Sequence, residues 1–437
     1  MNLLCLCNAS TALEIIKTIK CDTYHIICPK KEHLEHVKLP AGHALAKDIF
    51  LYSHKAMKKG RALKGVKWNK LIPLSSHVLT NMFECETETM KMLERVGKIG
   101  THLYDNRKKM FMNHLRFWNH VLDVKKIDVF YRCAPPHEGY DNIIYHLCLL
   151  KKIPVFMFYG FHPGKAYLAH NVLDPLPDFM QRLSEERESC MELTEDKIIM
   201  LPEIRDYAER HWNKLPPVLP PVVVPAKKVK TQKNLLKIHA DLLKFYASQC
   251  VKPDYTKPYI YMPLHFQYEA TTCPMARVFV DQILIAEILS RMGITIYVKE
   301  HPRMSKNRNM DYYKKLISLP HVKLISTKEN TYTLVDNCFA TATATGTAGW
   351  EAVLRGKPVL MFGYNFYQYA PGVWHVGSVE DCLKAKKEIA AFQPDKKELM
   401  LFLKTLCSYL FKHDVINIVK NLNIEIKKYM VEKGGSL

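Results

Sequence analysis

Short apolar runs alternate with amphipathic stretches along most of the chain. Asn2 to Cys7 and Thr23 to Cys28 are apolar, and between them Thr11 to Ile19 has a helical pattern with Ser10 as its expected N-cap. This order predicts a βαβ unit, the usual opening of a Rossmann-like domain. Arg107 to Val121 sets Met110, Phe111, Leu115, Trp118 and Val121 at helical spacing among basic residues. It predicts an amphipathic helix whose stripe faces a core or, alternatively, a membrane surface. Ile127 to Tyr131 and Pro154 to Phe158 read as strands flanking a helical run that ends at Leu150.

The second half keeps a βα rhythm. Its expected strands are Tyr259 to Met262, Thr295 to Lys299, Val322 to Ile325, Phe339 to Thr343 and Val359 to Phe362. Helices are expected over Val278 to Met292, Met310 to Leu319, Tyr332 to Asn337, Ala348 to Leu354 and, N-capped by Ser378, Val379 to Ala391. Such alternation predicts a parallel sheet covered on both faces. The five prolines of LPPVLPPVVVPAKKVK, Leu215 to Lys230, exclude a helix or central strand and mark an extended linker. The expected division is therefore an N-terminal Rossmann-like domain over 1–215, a linker and connecting helix over 216–250, a second Rossmann-like domain over 251–392, and C-terminal helices over 393–437.

Composition changes the picture in one respect. Across 437 residues, 63 Lys and Arg against 43 Asp and Glu give a net charge of +20, and seven basic residues with no acid lie between Lys55 and Lys70. Such a surface attracts anions: nucleic acid, anionic lipid or a phosphorylated substrate. No nucleic-acid motif accompanies the charge and the aromatic residues are not interleaved with it, so no nucleic acid is expected as partner. The 13 cysteines form no Cys-x-x-Cys and read as reduced thiols, which points to a cytoplasmic protein. No run approaches the ~20 apolar residues of a membrane-spanning helix, and MNLLCLCNAS reads as a strand rather than a signal peptide. Gly-x-Gly-x-x-Gly is absent from the opening, so a nicotinamide or flavin cofactor is unsupported.

Candidate chemistry gathers at strand ends. In ATGTAGWEAVLRGKPVLMF, Ala344 to Phe362, the residues Thr345, Gly346 and Thr347 form a turn into a helix whose first N–H groups suit a phosphate or carboxylate. Glu351 lies one helical turn further, where it can accept from sugar hydroxyls. The alternative is a packing turn, with Gly346 and Gly349 chosen for close approach. After the first strand of this half come His265, Gln267 and Glu269; after the second come Lys299 and His301. In a parallel sheet these ends converge on one edge. Earlier, PPHEGYD brings His137, Glu138 and Asp141 together after a strand. Asp141 stands where an N-cap is expected, whereas Glu138 has no comparable structural role. An anionic site on one such domain and carboxylates on another are what glycosyl transfer from an activated nucleotide requires. Without an Asp-x-Asp metal motif, leaving-group stabilisation falls to Lys299, His301 and the helix start, and no metal or further cofactor is expected.

LHFQYEATT, VKEHP, TGTAGWEAVLRGKPVLMFG with Phe366 and Tyr367, and PPHEGYD resemble the capsular polysaccharide biosynthesis glycosyltransferases, a group that includes retaining β-Kdo transferases. The resemblance covers mainly Tyr259 to Val376. It implies an α/β GT-B fold, with two Rossmann-like domains facing a central cleft. It also implies a CMP-Kdo-like donor on the second domain and a glycan or glycolipid acceptor on the first. Lys299 and His301 then take a donor-phosphate role, Thr345, Gly346, Thr347 and Glu351 contact the nucleotide, and His265, Gln267 and Glu269 line the donor pocket. Glu138 or Asp141, with His137 beside them, is the expected catalytic carboxylate. Family members often carry a proline at the position of Tyr268, and the basic Lys55 to Lys70 segment has no family counterpart. Competing readings are a nucleotide-sugar epimerase or hydrolase of the same fold, a basic nucleic-acid-binding protein, and an inactive sugar-nucleotide sensor. Peripheral attachment to an anionic membrane through the basic surface completes the expectation.

Overall fold

The computed structural model describes residues 1–28, 49–60, 63, 65–96, 103–215, 233–266, 269–301 and 308–432. The chain forms two compact units, residues 1–176 with 409–437 and residues 177–408. In chain order the first unit opens with β1 (Asn2–Leu6), α1 (Ala9–Thr18), β2 (Thr23–Cys28), β3 (Ile49–Ser53) and α2 (His54–Lys58). It continues through α3 (Ser76–Asn81), α4 (Phe83–Val96), α5 (Tyr104–Val124), β4 (Val129–Arg132), α6 (Tyr140–Leu150), β5 (Val155–Phe161) and β6 (Lys165–Ala169).

The second unit contains α7 (Phe179–Ser189), α8 (Pro202–Trp212), α9 (Lys233–Gln249), β7 (Cys250–Val251), β8 (Tyr259–Pro263), α10 (Gln282–Ser290) and β9 (Thr295–Lys299). Then come α11 (Met310–Ser318), β10 (Val322–Ile325), α12 (Thr331–Asn337), β11 (Ala340–Thr343), α13 (Thr347–Leu354) and β12 (Val359–Met361). It ends with β13 (Val373–His375), α14 (Val379–Ala391) and α15 (Lys396–Cys407), after which β14 (Phe411–Lys412) and α16 (Val415–Glu432) belong to the first unit.

In the first unit the sheet order is β14-β6-β5-β4-β1-β2-β3. From β3 to β5 all neighbours are parallel, while at the other edge β6 pairs antiparallel with both β5 and β14. β1 is apolar at nearly every position because helices cover both of its faces, and Leu3, Leu4 and Cys5 are wholly buried. Asn8, not Ser10, caps α1: its Oδ1 accepts from the Thr11 amide at 2.9 Å, and Ser10 donates to the same oxygen. Along α5, Phe111, Leu115, Trp118 and Val121 are buried. That stripe therefore faces the core and not a lipid surface.

The second sheet has the order β13-β12-β11-β8-β9-β10-β7, and every pair in it is parallel. Ile260, Met262, Ile296, Val298, Leu324, Ala342 and Leu360 bury one face against the helices. Ser378 caps α14 as expected, accepting from the Asp381 amide. Because all strands run one way, the loops after β8, β9 and β11 leave from a single edge.

The structure divides the chain at other points than the proline-rich stretch. The segment after 176 already belongs to the second unit, where Phe179 packs on Tyr369 and Phe402, and Arg187 bonds Glu398 at 2.7 Å. Of the C-terminal helices, α15 stays there, whereas α16 returns to bury Ile418, Val419, Leu422 and Ile426 in the core that holds Ala12, Ile15 and Ile16 of α1. The linker expected over Leu215 to Lys230 lies, from 216 onward, outside the described residues.

Candidate functional site

Three neighbouring strands, β11, β8 and β9, bring the polar loops of the second unit together. After β8 the chain turns so that the His265 amide donates to Gln282 Oε1 at 2.7 Å, while His265 Nε2 lies 2.9 Å from Thr343 Oγ1 at the end of β11. Burial, with Arg308 and His301 nearby, pushes the His265 imidazole down to about 4, so it is neutral at physiological pH. The turn after β11 is closed by the Gly346 amide donating to Thr343 Oγ1 at 3.0 Å, and Gly346 is the N-cap of α13. A Cβ on Gly346 would stand 2.9 Å from that hydroxyl and 3.0 Å from His265 Cε1; one on Gly349 would stand 2.7 Å from both Thr343 and the Tyr367 hydroxyl. Close approach thus requires both glycines, and it leaves the first N–H groups of α13, on Thr347 and Ala348, without intrahelical acceptors beside His265.

The remaining expected donor residues divide by environment. Thr345 is buried and its hydroxyl donates to the Thr271 carbonyl at 2.5 Å, so only its backbone faces the turn; Thr347 is exposed. Lys299 is buried, and its Nζ donates to the Glu329 carbonyl at 2.7 Å and Thr331 Oγ1 at 2.8 Å. Burial lowers its pKa, with Glu329 and Glu351 pulling the other way. Two of its three N–H groups are therefore spent on fixing the start of α12. Glu351 accepts from the Tyr332 hydroxyl at 3.1 Å, and burial raises its pKa against the pull of Tyr332, Arg355 and Lys299. Glu269 is exposed, with Thr271 Oγ1 at 3.4 Å. Gln267 lies outside the described residues.

His301 is half-buried, with its ring 5.6 Å from that of Phe266 and its amide bonded to Glu300 Oε1 at 2.7 Å. Glu300 itself is fully buried, pairs with Arg308 and accepts from Tyr313. Arg308 also donates to the His265 carbonyl at 2.6 Å. This buried pair ties the His301 and His265 loops together, a role the bare run VKEHP does not reveal because its partner stands eight residues on. Tyr332 and Tyr207, both close to Glu351, were equally invisible: Tyr207 comes from α8, far earlier in the chain.

In the first unit, the residues after β4 hold unequal carboxylates. Asp141 is fully buried, pairs with Arg132, and accepts from the amides of His137, Glu138 and Asn142. Burial opposes its ionisation, but Arg132 and those N–H groups hold its pKa below the usual carboxylate range. The N-cap of α6 is Gly139, and Asp141 works from inside the first turn instead. Glu138 keeps 15% side-chain exposure, pairs with Lys58 of α2 and has His137 Nε2 at 3.7 Å. His54 Nδ1 lies 2.6 Å from the Tyr140 hydroxyl beside them, and burial lowers its pKa. Lys58 is thus one basic-segment residue with a specific partner. Among the described residues, no group of three His, Cys, Asp or Glu side chains is arranged to hold a metal ion, and no helix is long and apolar enough to cross a membrane.

Residues 261–411 match the sequence profile of a family described as Capsule polysaccharide biosynthesis protein. No curated protein sequence matches the chain. Among solved structures, similarity extends to the UDP-GlcNAc 2-epimerase of Methanocaldococcus jannaschii, with 14% identity, a TM-score of 0.30, and coverage of 97% of this chain and 100% of that one. A glycosyltransferase from Rickettsia africae aligns at 11% identity and a TM-score of 0.30 over 98% of both chains. KpsC, a β-Kdo 2,7 transferase of Thermosulfurimonas dismutans, aligns at 11% identity and 0.31 over 77% of this chain and 94% of that one. At these scores the likenesses carry no argument of their own; the two α/β sheets are read from their own strand pairing.

Proposed function

Residues 261–411 belong to the capsule polysaccharide biosynthesis protein family, and from this premise we propose that the protein is a glycosyltransferase. It moves Kdo or a related acidic sugar from a CMP-activated donor to a surface polysaccharide or glycolipid. The observation that carries the reading is the meeting of neutral His265, the Thr343–Gly346 turn and the free first N–H groups of α13 at one sheet edge, with Glu351 and Lys299 behind them. A departing nucleotide phosphate gains negative charge, and N–H donors fixed beside a helix start stabilise that charge without reorganising. Glu351, one turn along, accepts from ribose hydroxyls; His301 donates to a phosphate oxygen, and Lys299 reaches the donor through its remaining N–H.

On the first unit, Glu138 is the nucleophile in a retaining, metal-independent double displacement. Its carboxylate attacks the anomeric carbon as the bond to the CMP phosphate oxygen breaks and CMP leaves with the electron pair. An acceptor hydroxyl then attacks the same carbon, gives its proton to His137, and frees the Glu138 carboxylate. Asp141 cannot share the role, since its oxygens are committed to Arg132 and three amides. The basic surface keeps the enzyme on the cytoplasmic face of an anionic membrane.

Incubation with CMP-Kdo, CMP-sialate and UDP-GlcNAc, with and without acceptor, tests the proposal. CMP-Kdo is expected to raise the melting temperature and to be consumed with acceptor present. Conversion of UDP-GlcNAc without acceptor would make the protein an epimerase, and absence of any nucleotide-dependent shift would remove the donor site.

A further inference from the structure

A pocket of about 420 Å³ lies in the second unit, at the edge of the sheet opposite the donor-site loops, where β11 and β12 begin. Phe339 and Pro358, the residues preceding those strands, form part of its wall. The α8, α13 and α14 helices all end there. Trp212 and Lys214 come from the end of α8, Arg355, Gly356 and Lys357 from the end of α13, and Phe392 from that of α14. Its volume falls in the range of small-molecule sites, about 300–1,000 Å³. None of the donor-site residues lines it.

The cations here are not equivalent. Arg355 is spent: it bonds both oxygens of Asp336, at 2.7 and 2.5 Å, and lies over the Tyr332 ring. Lys214 and Lys357, by contrast, have no carboxylate within ion-pair distance among the described residues. Lys214 is exposed and Lys357 half-buried. Helix ends carry about half a negative charge each, spread over carbonyls. Several of these are already capped, for example by Lys214 N to His211 O, Lys357 N to Ala352 O and Phe392 N to Ile389 O. The two ammonium groups keep full charges and so dominate. A nucleotide phosphate is a poor fit, because helix ends of this polarity offer carbonyl acceptors and no N–H cradle. A polyol bearing one carboxylate fits each feature: aromatic faces for its C–H surfaces, carbonyls for its hydroxyls, and ammonium groups for its acid.

We infer that this pocket binds an acidic sugar residue of a glycan chain, away from the donor site, and so retains the acceptor or product polysaccharide on the enzyme. The inference rests on the glycosyltransferase reading for its biological sense, but its binding test is separate. Calorimetric titration uses an oligogalacturonate hexamer, with maltohexaose as the neutral counterpart, on the full chain. The hexamer is expected to bind, and Lys214→Glu/Lys357→Glu to weaken it by roughly tenfold or more. Maltohexaose should bind the wild type at least as weakly as the hexamer binds that variant. The charge-reversed variant should keep its melting temperature and its response to CMP-Kdo. His265→Ala should lose the nucleotide response and retain hexamer binding. Equal binding of both oligosaccharides, equal binding by wild type and variant, or no hexamer binding would each overturn the inference, and none of these would touch the donor site.

Discussion

Glu138 and Asp141 stand three residues apart in opposite environments, and substitutions separate their roles. Removing one member of a buried ion pair strands the other, so Asp141→Ala is expected to lower unfolding stability by about 3–5 kcal/mol, measured by chemical denaturation. Glu138→Gln, on a partly exposed side chain, should change stability by less than about 1 kcal/mol while abolishing sugar transfer; transfer at the wild-type rate would remove Glu138 from the mechanism. Histidines give a pH prediction. His25, His114 and His265 are held neutral by burial, each down to about 4. Unfolded histidine titrates near 6.5, so between about 6.5 and 4 the unfolded chain binds protons that the folded one refuses. Their contribution is complete above about pH 6.5 and lost as pH falls toward 4, and His114→Gln should flatten the melting temperature across that window. At this scale the site was half legible. His265 and Gly346 announced themselves as a polar residue and a glycine after strand ends, and Glu351 by its place one helical turn past Thr347. The Glu300–Arg308 pair and the tyrosines around Glu351 did not, because contact across folded loops leaves no spacing rule in the chain.

Elements of the second unit were legible for a physical reason: strands buried on both faces must be continuous apolar runs, and helices between them must be amphipathic. The edge strands β7 and β13, two and three residues long, escaped notice since so short a run has no periodicity. The proline-rich stretch suggested a boundary that the packing does not follow, because a break in regular structure records backbone chemistry and says nothing of which core the flanking helices join. The return of α16 is the sharpest case. Its four buried residues are spaced as on any amphipathic helix, and nothing in them names α1 as partner. Leu422→Ala, at a fully buried position, should therefore cost the first unit about 2–5 kcal/mol. The second unit's CMP-Kdo response should persist under conditions where the first has begun to unfold. If instead both signals vanish together in the variant, α16 does not belong energetically to the first unit alone.

For the molecule as a whole, the charge of +20 is unevenly placed. Residues 49–83 carry seven Lys and Arg and no acid. Within that stretch Ile72, Leu79 and Phe83 are exposed at 41%, 49% and 75%. The helical bonds Met82 N to Val78 O and Glu86 N to Met82 O carry α3 into α4, which sets Leu79 and Phe83 one turn apart on one face. Exposed apolar side chains in the same stretch of chain as exposed Lys67 and Lys70 suit the boundary of an anionic bilayer, where the rings and aliphatic chains enter the headgroup region and the ammonium groups meet phosphate and carboxylate. The chain should sediment with phosphatidylserine-containing vesicles and not with pure phosphatidylcholine. Each lysine near such a surface contributes about 1 kcal/mol, so neutralising both in Lys67→Gln/Lys70→Gln should weaken partitioning roughly thirtyfold. Phe83→Ser should weaken it independently of salt, while raising the ionic strength above ~0.1 M, where the Debye length is about 10 Å, should release the wild type progressively. Vesicle binding indifferent to both lipid charge and salt would leave the basic face without a membrane role, and the acceptor would then have to reach the enzyme from solution.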